Sequence, residues 1–291
     1  MNEPRPACPL CGNQNKQPFD TRRFRDQLVT NVMCAACGCV YQSPRMSEQA
    51  LEAFYAQEYR QLYQGGDEPN SKDLQVQRLR AAALLDFVRP HIQTLGAHLD
   101  IGCSAGLLLQ QFASHYGCKP AGIEPGNAYR RYASQQGLDV VASLQDLKAH
   151  LNQRFDLVSL AHVLEHLADP VGYLSAVREE LLARDGWLLV EVPNLYCHDS
   201  FEVAHLVSYS PHTLQQVLAK AGYKTIRFEQ HGRPRSANLP LYLTVLAKPT
   251  GEALAVGVPP ERGVRFKRRL GLLRRAILTR LAPRKAWLQL M

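Results

Sequence analysis

The apolar positions after residue 96 fall into short runs that alternate with longer, helix-like patterns. Seven of these runs have the length of β-strands, and turn residues bound them. The predicted strands are residues 98–101, 120–123, 139–141, 155–160, 187–192, 225–228 and 241–247. Strand–helix alternation is typical of an open, largely parallel sheet with helices on both faces. The pattern therefore predicts an α/β domain over residues 96–250.

Residues 46–95 have helical spacing. A first helix is predicted to begin at Ser47 and Glu48 and to place Leu51, Phe54 and Tyr55 on one face. A glycine pair at residues 65–66 interrupts the pattern, and a second helix is predicted from about residue 72 to residue 88. We therefore expect residues 46–95 to form a helical connector that caps the α/β domain.

The last helical pattern carries an apolar stripe at the spacing of one helix face. The stripe consists of Phe266, Leu270, Leu273, Ile277 and Leu281. Basic residues surround it, and a proline at position 283 marks its end. The pattern predicts that residues 251–291 form a linker and a basic amphipathic tail.

The charge is unevenly distributed over the 291 residues, which include 34 basic and 26 acidic side chains. Residues 262–291 hold ten of the basic residues and no acidic one, so the remaining 24 basic and 26 acidic residues give a slightly negative body. A basic amphipathic helix is typical of a membrane surface or a docking helix. We predict that residues 262–291 contact an anionic membrane surface or a partner protein, with nucleic acid the less favoured partner.

The expected location is cytoplasmic and peripheral, at the inner face of the cell membrane. No apolar run is long enough for a spanning helix. The first residues also lack the basic-then-apolar pattern of a signal peptide.

Four of the eight cysteines form two Cys-x-x-Cys pairs in the first 45 residues. Cys8 and Cys11 form one pair, and Cys34 and Cys37 form the other; a glycine follows each. Two such turns supply the four thiolates of a tetrahedral structural zinc site. We predict a zinc ribbon over residues 1–45, with Cys39 as an alternative to Cys37 and a redox dithiol as the alternative chemistry.

The first predicted strand of the α/β domain runs into a glycine-containing turn. Asp100 precedes the turn, which includes Gly102, Cys103 and Gly106 and leads into a helical pattern. A glycine turn between a strand and a helix lets the backbone approach a ligand at the helix N-terminus. Glu124 ends the second strand, where a carboxylate accepts hydrogen bonds from both hydroxyls of a ribose. Asp100 is placed to accept a hydrogen bond from a cationic amino group.

His162, Glu165 and His166 form an H-x-x-E-H pattern directly after the fourth predicted strand. The same pattern occurs in a class of zinc peptidases, in which one continuous helix carries both histidines. A proline at position 170 makes a long helix here unfavourable. We therefore predict a strand-to-helix loop in which His166 or Glu165 handles a proton, and local capping remains an alternative for Glu165.

The chain resembles the class I S-adenosylmethionine (SAM)-dependent methyltransferases over about residues 72–248. The matching stretches, in order, are LDIGCSAG, GIEPG, FDLVSLAHVLEHLADP, LLVEVPN and HLVSYSPHTLQQVLAKAGY. The resemblance implies a Rossmann-like, seven-stranded methyltransferase sheet and SAM as cofactor. It also implies a set of cofactor-binding residues, namely Asp100, Gly102, Cys103, Gly106, Glu124, Pro125, Ser143, Leu144, Ala161 and His162.

His205 lies in the segment between the fifth strand and the next helix, where enzymes of this family build their acceptor site. The ribbon-plus-methyltransferase layout is similar to the sugar methyltransferases of deoxysugar and surface-polysaccharide pathways, which implies His205 as the base. We expect O- or C-methylation of a sugar, nucleotide sugar or glycan. The same resemblance implies a membrane-bound glycosyltransferase as the partner protein that residues 262–291 would contact. A zinc-ribbon RNA methyltransferase and a non-catalytic scaffold with a SAM-binding fold are the alternatives.

Overall fold

The computed structural model describes residues 2–3, 6–24, 27–47, 50–51, 54, 68–150, 153–199, 201–250 and 257–289. Thirteen strands are found in this part of the chain. They are β1 (Asn2–Glu3), β2 (Lys16–Phe24), β3 (Gln27–Cys34), β4 (Val40–Gln42), β5 (Arg45–Met46), β6 (Ala97–Ile101), β7 (Lys119–Ile123), β8 (Asp139–Val141), β9 (Phe155–Ala161), β10 (Leu182–Pro193), β11 (Val207–Ser208), β12 (Tyr223–His231) and β13 (Tyr242–Pro249).

Eight α-helices lie in the same described ranges. They are α1 (Ser71–Val88), α2 (Leu107–Tyr116), α3 (Asn127–Gln135), α4 (Leu144–His150), α5 (Pro170–Ala176), α6 (Pro211–Lys220), α7 (Val264–Leu281) and α8 (Pro283–Ala286). A 3₁₀ turn covers Leu164–His166, and a π-helical turn covers Val177–Leu181. None of the described helices is both long and apolar enough to cross a membrane.

The main sheet has seven strands in the order β12-β13-β10-β9-β6-β7-β8. Strands β6 to β10 pair in parallel, and β13 pairs antiparallel with both β10 and β12. All seven strands predicted from the sequence are present, and the sheet is the Rossmann-like methyltransferase sheet that the resemblance implied. The strand order reverses between β6 and β9, so the carboxyl ends of these strands form a crevice where ligands bind.

The outer strands extend beyond their predicted runs. Strand β12 covers Tyr223–His231, although the apolar run predicted only residues 225–228. The reason is that backbone pairing with β13 continues into half-exposed positions at the sheet edge. In β12 the hydrophobic spacing marks only the centre of the strand and underestimates its length.

The N-terminal ribbon forms a second sheet, and the α/β body contributes a strand to it. Its order is β11-β4-β3-β2, in which β11 comes from the segment before α6. Val207 pairs with Tyr41, and Ser208 pairs with Val40. The buried ribbon residues also belong to one apolar cluster with residues of the main sheet. The ribbon is thus packed against the α/β body.

Helix α1 agrees closely with the second predicted helix of the connector, because it covers Ser71–Val88. Asn70 caps its N-terminus by accepting a 2.9 Å hydrogen bond from the backbone N–H of Asp73. Leu51 and Phe54, from the first predicted helix, are buried. Glu48, Tyr55 and the glycine pair at residues 65–66 lie outside the described residues.

Candidate cofactor and acceptor site

The glycine turn after β6 presents backbone where side chains would not fit. Gly102 and Gly106 have φ values of +72° and +77°, in the left-handed region that favours glycine. A Cβ on Gly102 would lie 2.5 Å from Val163 Cγ2, and one on Gly106 would overlap Leu138 Cδ1. The turn therefore brings the N-terminus of α2 and its backbone N–H groups directly under the crevice, where they form a polar backbone surface.

Asp100 is the buried end of a short hydrogen-bonded chain beneath the turn. Ser159 Oγ donates a 2.6 Å hydrogen bond to Asp100 Oδ1. Since that bond uses the hydroxyl proton, His98 Nε2, 2.8 Å from Ser159 Oγ, must be the donor to Ser159. Burial lowers the pKa of His98 to about 3, so the ring is neutral. The chain fixes the orientation of the Asp100 carboxylate.

The pKa of Asp100 is raised from its ordinary value of 3.8 to about 7. Burial is the main cause, Glu124 adds to it, and the hydrogen bond from Ser159 acts in the opposite direction. Burial disfavours the ionised form of this carboxylate, so a cation bound next to it stabilises that form strongly. This charge balance fits the cationic amino group of SAM.

Glu124, at the end of β7, is held by the backbone of the turns on both sides. Its Oε2 accepts a 2.9 Å hydrogen bond from Ser104 N, and its Oε1 accepts one of 2.9 Å from Gly126 N. A carboxylate accepts hydrogen bonds, and at the carboxyl end of this strand it suits the hydroxyls of a ribose. The two carboxylates, at the ends of adjacent parallel strands, are a donor set that fits the amino-acid and ribose parts of SAM.

Helix α1 lies across the site and contacts it through two side chains, neither of which was predicted from the sequence as a site residue. Gln77 Oε1 accepts a 3.2 Å hydrogen bond from Ala105 N in the glycine turn. One helical turn further on, Arg80 Nε lies 2.8 Å from Glu191 Oε1 at the end of β10. Glu191 is buried, and its pKa is lowered because contacts with histidines and Arg80 outweigh the effect of burial. Gln77 and Arg80 are ordinary polar positions of an amphipathic helix, so no sequence signal identified them.

The H-x-x-E-H segment is a loop followed by a 3₁₀ turn. His162 has a φ of +59°, and its two ring nitrogens lie 3.3 Å from Glu165 Oε1 and 3.2 Å from Glu191 Oε1. The next helix begins only at Pro170, with Asp169 as its N-cap. The motif is therefore not on one continuous helix, which agrees with the rejection of a peptidase.

Glu165 lies beneath the acceptor side of the site with 1% of its surface exposed. Burial acts to raise its pKa, but the contact with His162 and the histidines around it outweigh burial, so the pKa of Glu165 is lowered. His166 Nδ1–H donates a 2.8 Å hydrogen bond to the Ala204 carbonyl. Burial lowers the pKa of His166 to about 4, so its ring is neutral with the lone pair on Nε2.

His205 lies beside His166, with their ring centroids 4.9 Å apart. One carboxylate oxygen of Glu165 and one ring nitrogen each of His166 and His205 all lie within 4.8 Å of one another. The three predicted catalytic residues are thus brought together by the fold from two separate segments. Proximity of a neutral imidazole, a second histidine and a carboxylate is an arrangement that can accept and stabilise a proton.

One cleft of about 960 Å³ joins the two halves of the site. Nine predicted residues line it: Asp100, Gly102, Cys103, Glu124, Pro125, Ala161, His162, His166 and His205. Gly106, Ser143, Leu144 and Glu165 do not, and Ala142, directly after β8, lines the cleft instead. Ser143 Oγ accepts a 3.1 Å hydrogen bond from Asp146 N at the start of α4. Lining residues that the sequence did not indicate include His198, Arg235 and Tyr242.

The four ribbon cysteines form a separate cluster. Cys8 Sγ lies 3.6 Å from Cys37 Sγ, and Cys11 Sγ lies 3.5 Å from Cys34 Sγ. These distances are far too long for disulfides, and they are close to the edge of a tetrahedron with Zn–S bonds of about 2.3 Å. The four-membered cluster includes Cys37 and not Cys39. The donor set fits a structural zinc ion.

Residues 73–227 match the family model described as a methyltransferase domain, which is more than half of the chain. The chain belongs to this methyltransferase family. The carboxylate pair and the glycine turn described above fit SAM as the cofactor of this methyltransferase domain.

The methyltransferase shares its fold with solved SAM-dependent enzymes. The 1,6-didemethyltoxoflavin-N1-methyltransferase of Burkholderia thailandensis, with bound S-adenosylhomocysteine, has a TM-score of 0.56 and 17% identity, covering 80% of this chain and all (100%) of that one. A SAM-dependent methyltransferase from Archaeoglobus fulgidus has a TM-score of 0.51 and 18% identity, covering 65% of this chain and 97% of that one. At these identities the likeness concerns the fold alone.

Curated relatives share a shorter segment with this methyltransferase. The ubiquinone biosynthesis O-methyltransferase of Cereibacter sphaeroides is 40% identical over 99 residues, which is 32% of this chain and 38% of that protein. The enzyme of the same name from Coxiella burnetii is 32% identical over 93 residues, 30% of this chain and 39% of the relative. The match thus spans less than two fifths of these relatives' length.

Proposed function

We propose that this enzyme methylates a hydroxyl group of a sugar, nucleotide sugar or glycan, with His205 as the base. The observation that carries the proposal is the place of His205 and His166, which line the same cleft as Asp100 and Glu124. The acceptor side of the cleft is rich in groups that form hydrogen bonds to hydroxyls, and aromatic rings lie beside them. They are His162, His198, His205, Glu202, Arg235, Tyr173 and Tyr242. Such a lining suits a polyhydroxylated ring.

The residues have separate roles in the proposed reaction. SAM, when bound, supplies a methyl group that the sulfonium charge already activates. His205 accepts the hydroxyl proton as the acceptor oxygen forms its new bond to carbon. The nearby Glu165 carboxylate stabilises the imidazolium that results, as a buried carboxylate does beside other catalytic histidines. His166, oriented by the Ala204 carbonyl, holds the His205 ring by edge contact.

Two further points support parts of the proposal. The curated relatives are named O-methyltransferases, which favours oxygen over carbon as the acceptor atom. The spacing of the ribbon thiols supports zinc as a structural metal in Cys8, Cys11, Cys34 and Cys37. The same relatives' name favours, as a second candidate, a phenolic hydroxyl of a quinone precursor.

The experiment that tests the proposal is transfer of a labelled methyl group to a panel of nucleotide sugars, lipid-linked glycans, dihydroxybenzenes and RNA. We expect transfer to one of the sugar-containing acceptors and formation of an O-methyl product. Transfer only to dihydroxybenzenes would select the second candidate, and transfer to RNA would reject both. Absence of SAM binding by calorimetry would instead favour the scaffold alternative.

A further inference from the structure

Helix α7 has two opposite faces with different surroundings. Its inner face contacts the body through residues spaced alternately four and three apart, which lie on one side of a helix. They are Val264, Arg268, Gly271, Arg275 and Leu278. Val264 is 3% exposed and Arg268 is 6% exposed. The helix is therefore docked on the protein.

Specific contacts fix this docking. Arg268 donates hydrogen bonds to the Leu195 carbonyl and to Asp199 Oδ1, the latter at 3.0 Å. A Cβ on Gly271 would overlap the carbonyl oxygen of Tyr196, so the backbones are in close contact. Because these contacts occupy the inner face, the direction of the opposite face is also fixed.

The outer face of α7 carries the apolar stripe that the sequence predicted. Its side chains are between 46% exposed (Ile277) and 77% exposed (Leu281). The stripe also includes Phe266, Leu270 and Leu273. The other large apolar side chains exposed in the described ranges are scattered, at Leu28, Leu79, Ile226 and Leu288. A continuous apolar stripe on a docked helix is a binding surface rather than incidental exposure.

The charges around this stripe are of one sign. At about 100° per residue, Arg269 and Arg280 border one edge of the stripe and Arg274 borders the other. All three are exposed. No acidic residue occurs in residues 262–291, and Glu261 is turned inward to accept hydrogen bonds from Tyr196 and Ser210. The surface thus combines inserted apolar side chains with cations at both sides.

We infer that the outer face of α7 binds an anionic lipid bilayer, with its apolar stripe in the headgroup boundary and its arginines on lipid phosphates. An apolar stripe between basic edges matches a bilayer, in which hydrocarbon lies below a layer of negative charge. A protein or RNA partner would not require both features along the whole helix. The inference does not depend on which acceptor the enzyme uses.

The same segment forms one edge of the catalytic cleft. After α7 and α8, Trp287 and Leu288 line the cleft, and Leu288 N donates a 2.9 Å hydrogen bond to the Arg235 carbonyl. The membrane-binding face and the cleft edge therefore belong to one continuous, docked segment.

The test is flotation of the full-length protein with vesicles of phosphatidylcholine alone or of equimolar phosphatidylcholine and phosphatidylglycerol. We expect binding to the anionic vesicles only. The double variant Leu270→Ser/Leu273→Ser should weaken it more than tenfold, because two side chains lose their apolar contact. The variant Arg269→Glu/Arg274→Glu should weaken it by at least as much and abolish the preference for anionic lipid.

The matched control is Ile226→Ser, which removes a side chain that is 41% exposed on β12. It should leave vesicle binding unchanged, and all variants should bind SAM with wild-type affinity, which shows that they fold. Equal binding to neutral vesicles, or full binding by the Leu270→Ser/Leu273→Ser variant, would overturn the inference. If the wild-type protein does not bind vesicles but is a dimer, and the Leu270→Ser/Leu273→Ser variant is a monomer, the inference is wrong and the face binds a second copy of the chain.

Discussion

Gln42, on the last strand of the cysteine ribbon, donates a 2.8 Å hydrogen bond from Nε2 to the backbone carbonyl of His205. The same amide nitrogen lies 2.6 Å from the Glu202 carbonyl, and Gln42 N donates to the Leu206 carbonyl at 2.9 Å. One buried side chain of the ribbon thus holds the loop that carries the proposed base. The ribbon and the acceptor site are mechanically connected.

Replacing Gln42 with Ala should impair turnover more than cofactor binding. The loop carbonyls lose their donor, and each unpaired buried group costs about 1–3 kcal/mol. We expect kcat to fall about tenfold or more, since small errors in the position of a catalytic group are costly. The SAM dissociation constant, measured by calorimetry, should stay unchanged. Gln17→Ala, at an exposed position on β2 of the same ribbon sheet, is the control; an equal effect there would contradict a positioning role.

Gly102→Ala should nearly abolish SAM binding, whereas Gly117→Ala should not affect it. Both residues have left-handed φ values, of +72° and +68°. A Cβ on Gly102 meets Val163, while one on Gly117 meets nothing within 4 Å. Both variants therefore introduce backbone strain of about 1 kcal/mol, but only Gly102→Ala also displaces the turn. Comparing them distinguishes the two effects. Thermal unfolding and SAM titration of both variants provide the measurement, and equal SAM affinities would refute the assigned role of the turn.

Binding of SAM should depend on the ionisation of Asp100. The pKa of Asp100 is raised to about 7, so below that pH the cationic cofactor must displace a proton. We expect the dissociation constant to rise up to about tenfold per pH unit below pH 7 and to level off above it. Asp100→Asn should bind SAM weakly at every pH, and the exposed Asp139→Asn should behave as wild type.

The same pKa sets a stability change in the cofactor-free protein. A carboxyl group whose folded-state pKa is raised contributes stability at low pH, and this contribution is lost as the pH rises from about 4 to 7. Asp100→Asn should therefore unfold at a higher temperature than wild type at pH 8 but not at pH 4. A lower unfolding temperature at pH 8 would show that the burial cost is offset by other contacts.

Removing the ribbon metal should destabilise the protein and slow turnover together. Metal analysis is expected to show about one zinc per chain, and Cys11→Ser should lose it, because a structural site needs all four ligands. Since β4 of the ribbon pairs with β11 just after His205, its loss should disturb the base loop. Cys118→Ser, at a buried thiol outside the cluster, should keep both zinc and activity. An unchanged kcat in the metal-free protein would show that the ribbon does not support catalysis.

His205→Gln should lower kcat about 10²–10⁴-fold, which is the usual contribution of a general base. It should leave SAM affinity intact, because the residues that fit SAM, Asp100 and Glu124, lie at the ends of β6 and β7 and not in the His205 loop. His150→Gln, at an exposed position on α4, is the matched control. Wild-type turnover in His205→Gln would remove this residue from the mechanism.

Local sequence patterns were sufficient to predict those features that are formed by residues close together in the chain. The seven strands follow from short apolar runs, and Asp100 and Glu124 were found because parallel strands end at one edge of the sheet. The paired cysteines indicated a four-thiol cluster, which the fold assembles with Cys37. In each case the spacing of the residues along the chain determines how they are arranged in space.

Other relationships depended on residues that are distant in sequence and have no distinctive pattern. Gln77 and Arg80 contact the turn and Glu191 only because α1 lies across the crevice. Ala142, rather than Ser143, lines the cleft because Ser143 caps a helix.

By itself, the sequence determined the sheet, the glycine turn, the carboxylate pair and the cysteine cluster, since periodicity and spacing encode local geometry and burial. Only the tertiary structure decided that Gln42 reaches the His205 loop and which face of α7 remains exposed. A hydrophobic pattern states that a side chain is buried or amphipathic, but its partner is selected by the packing of the whole chain.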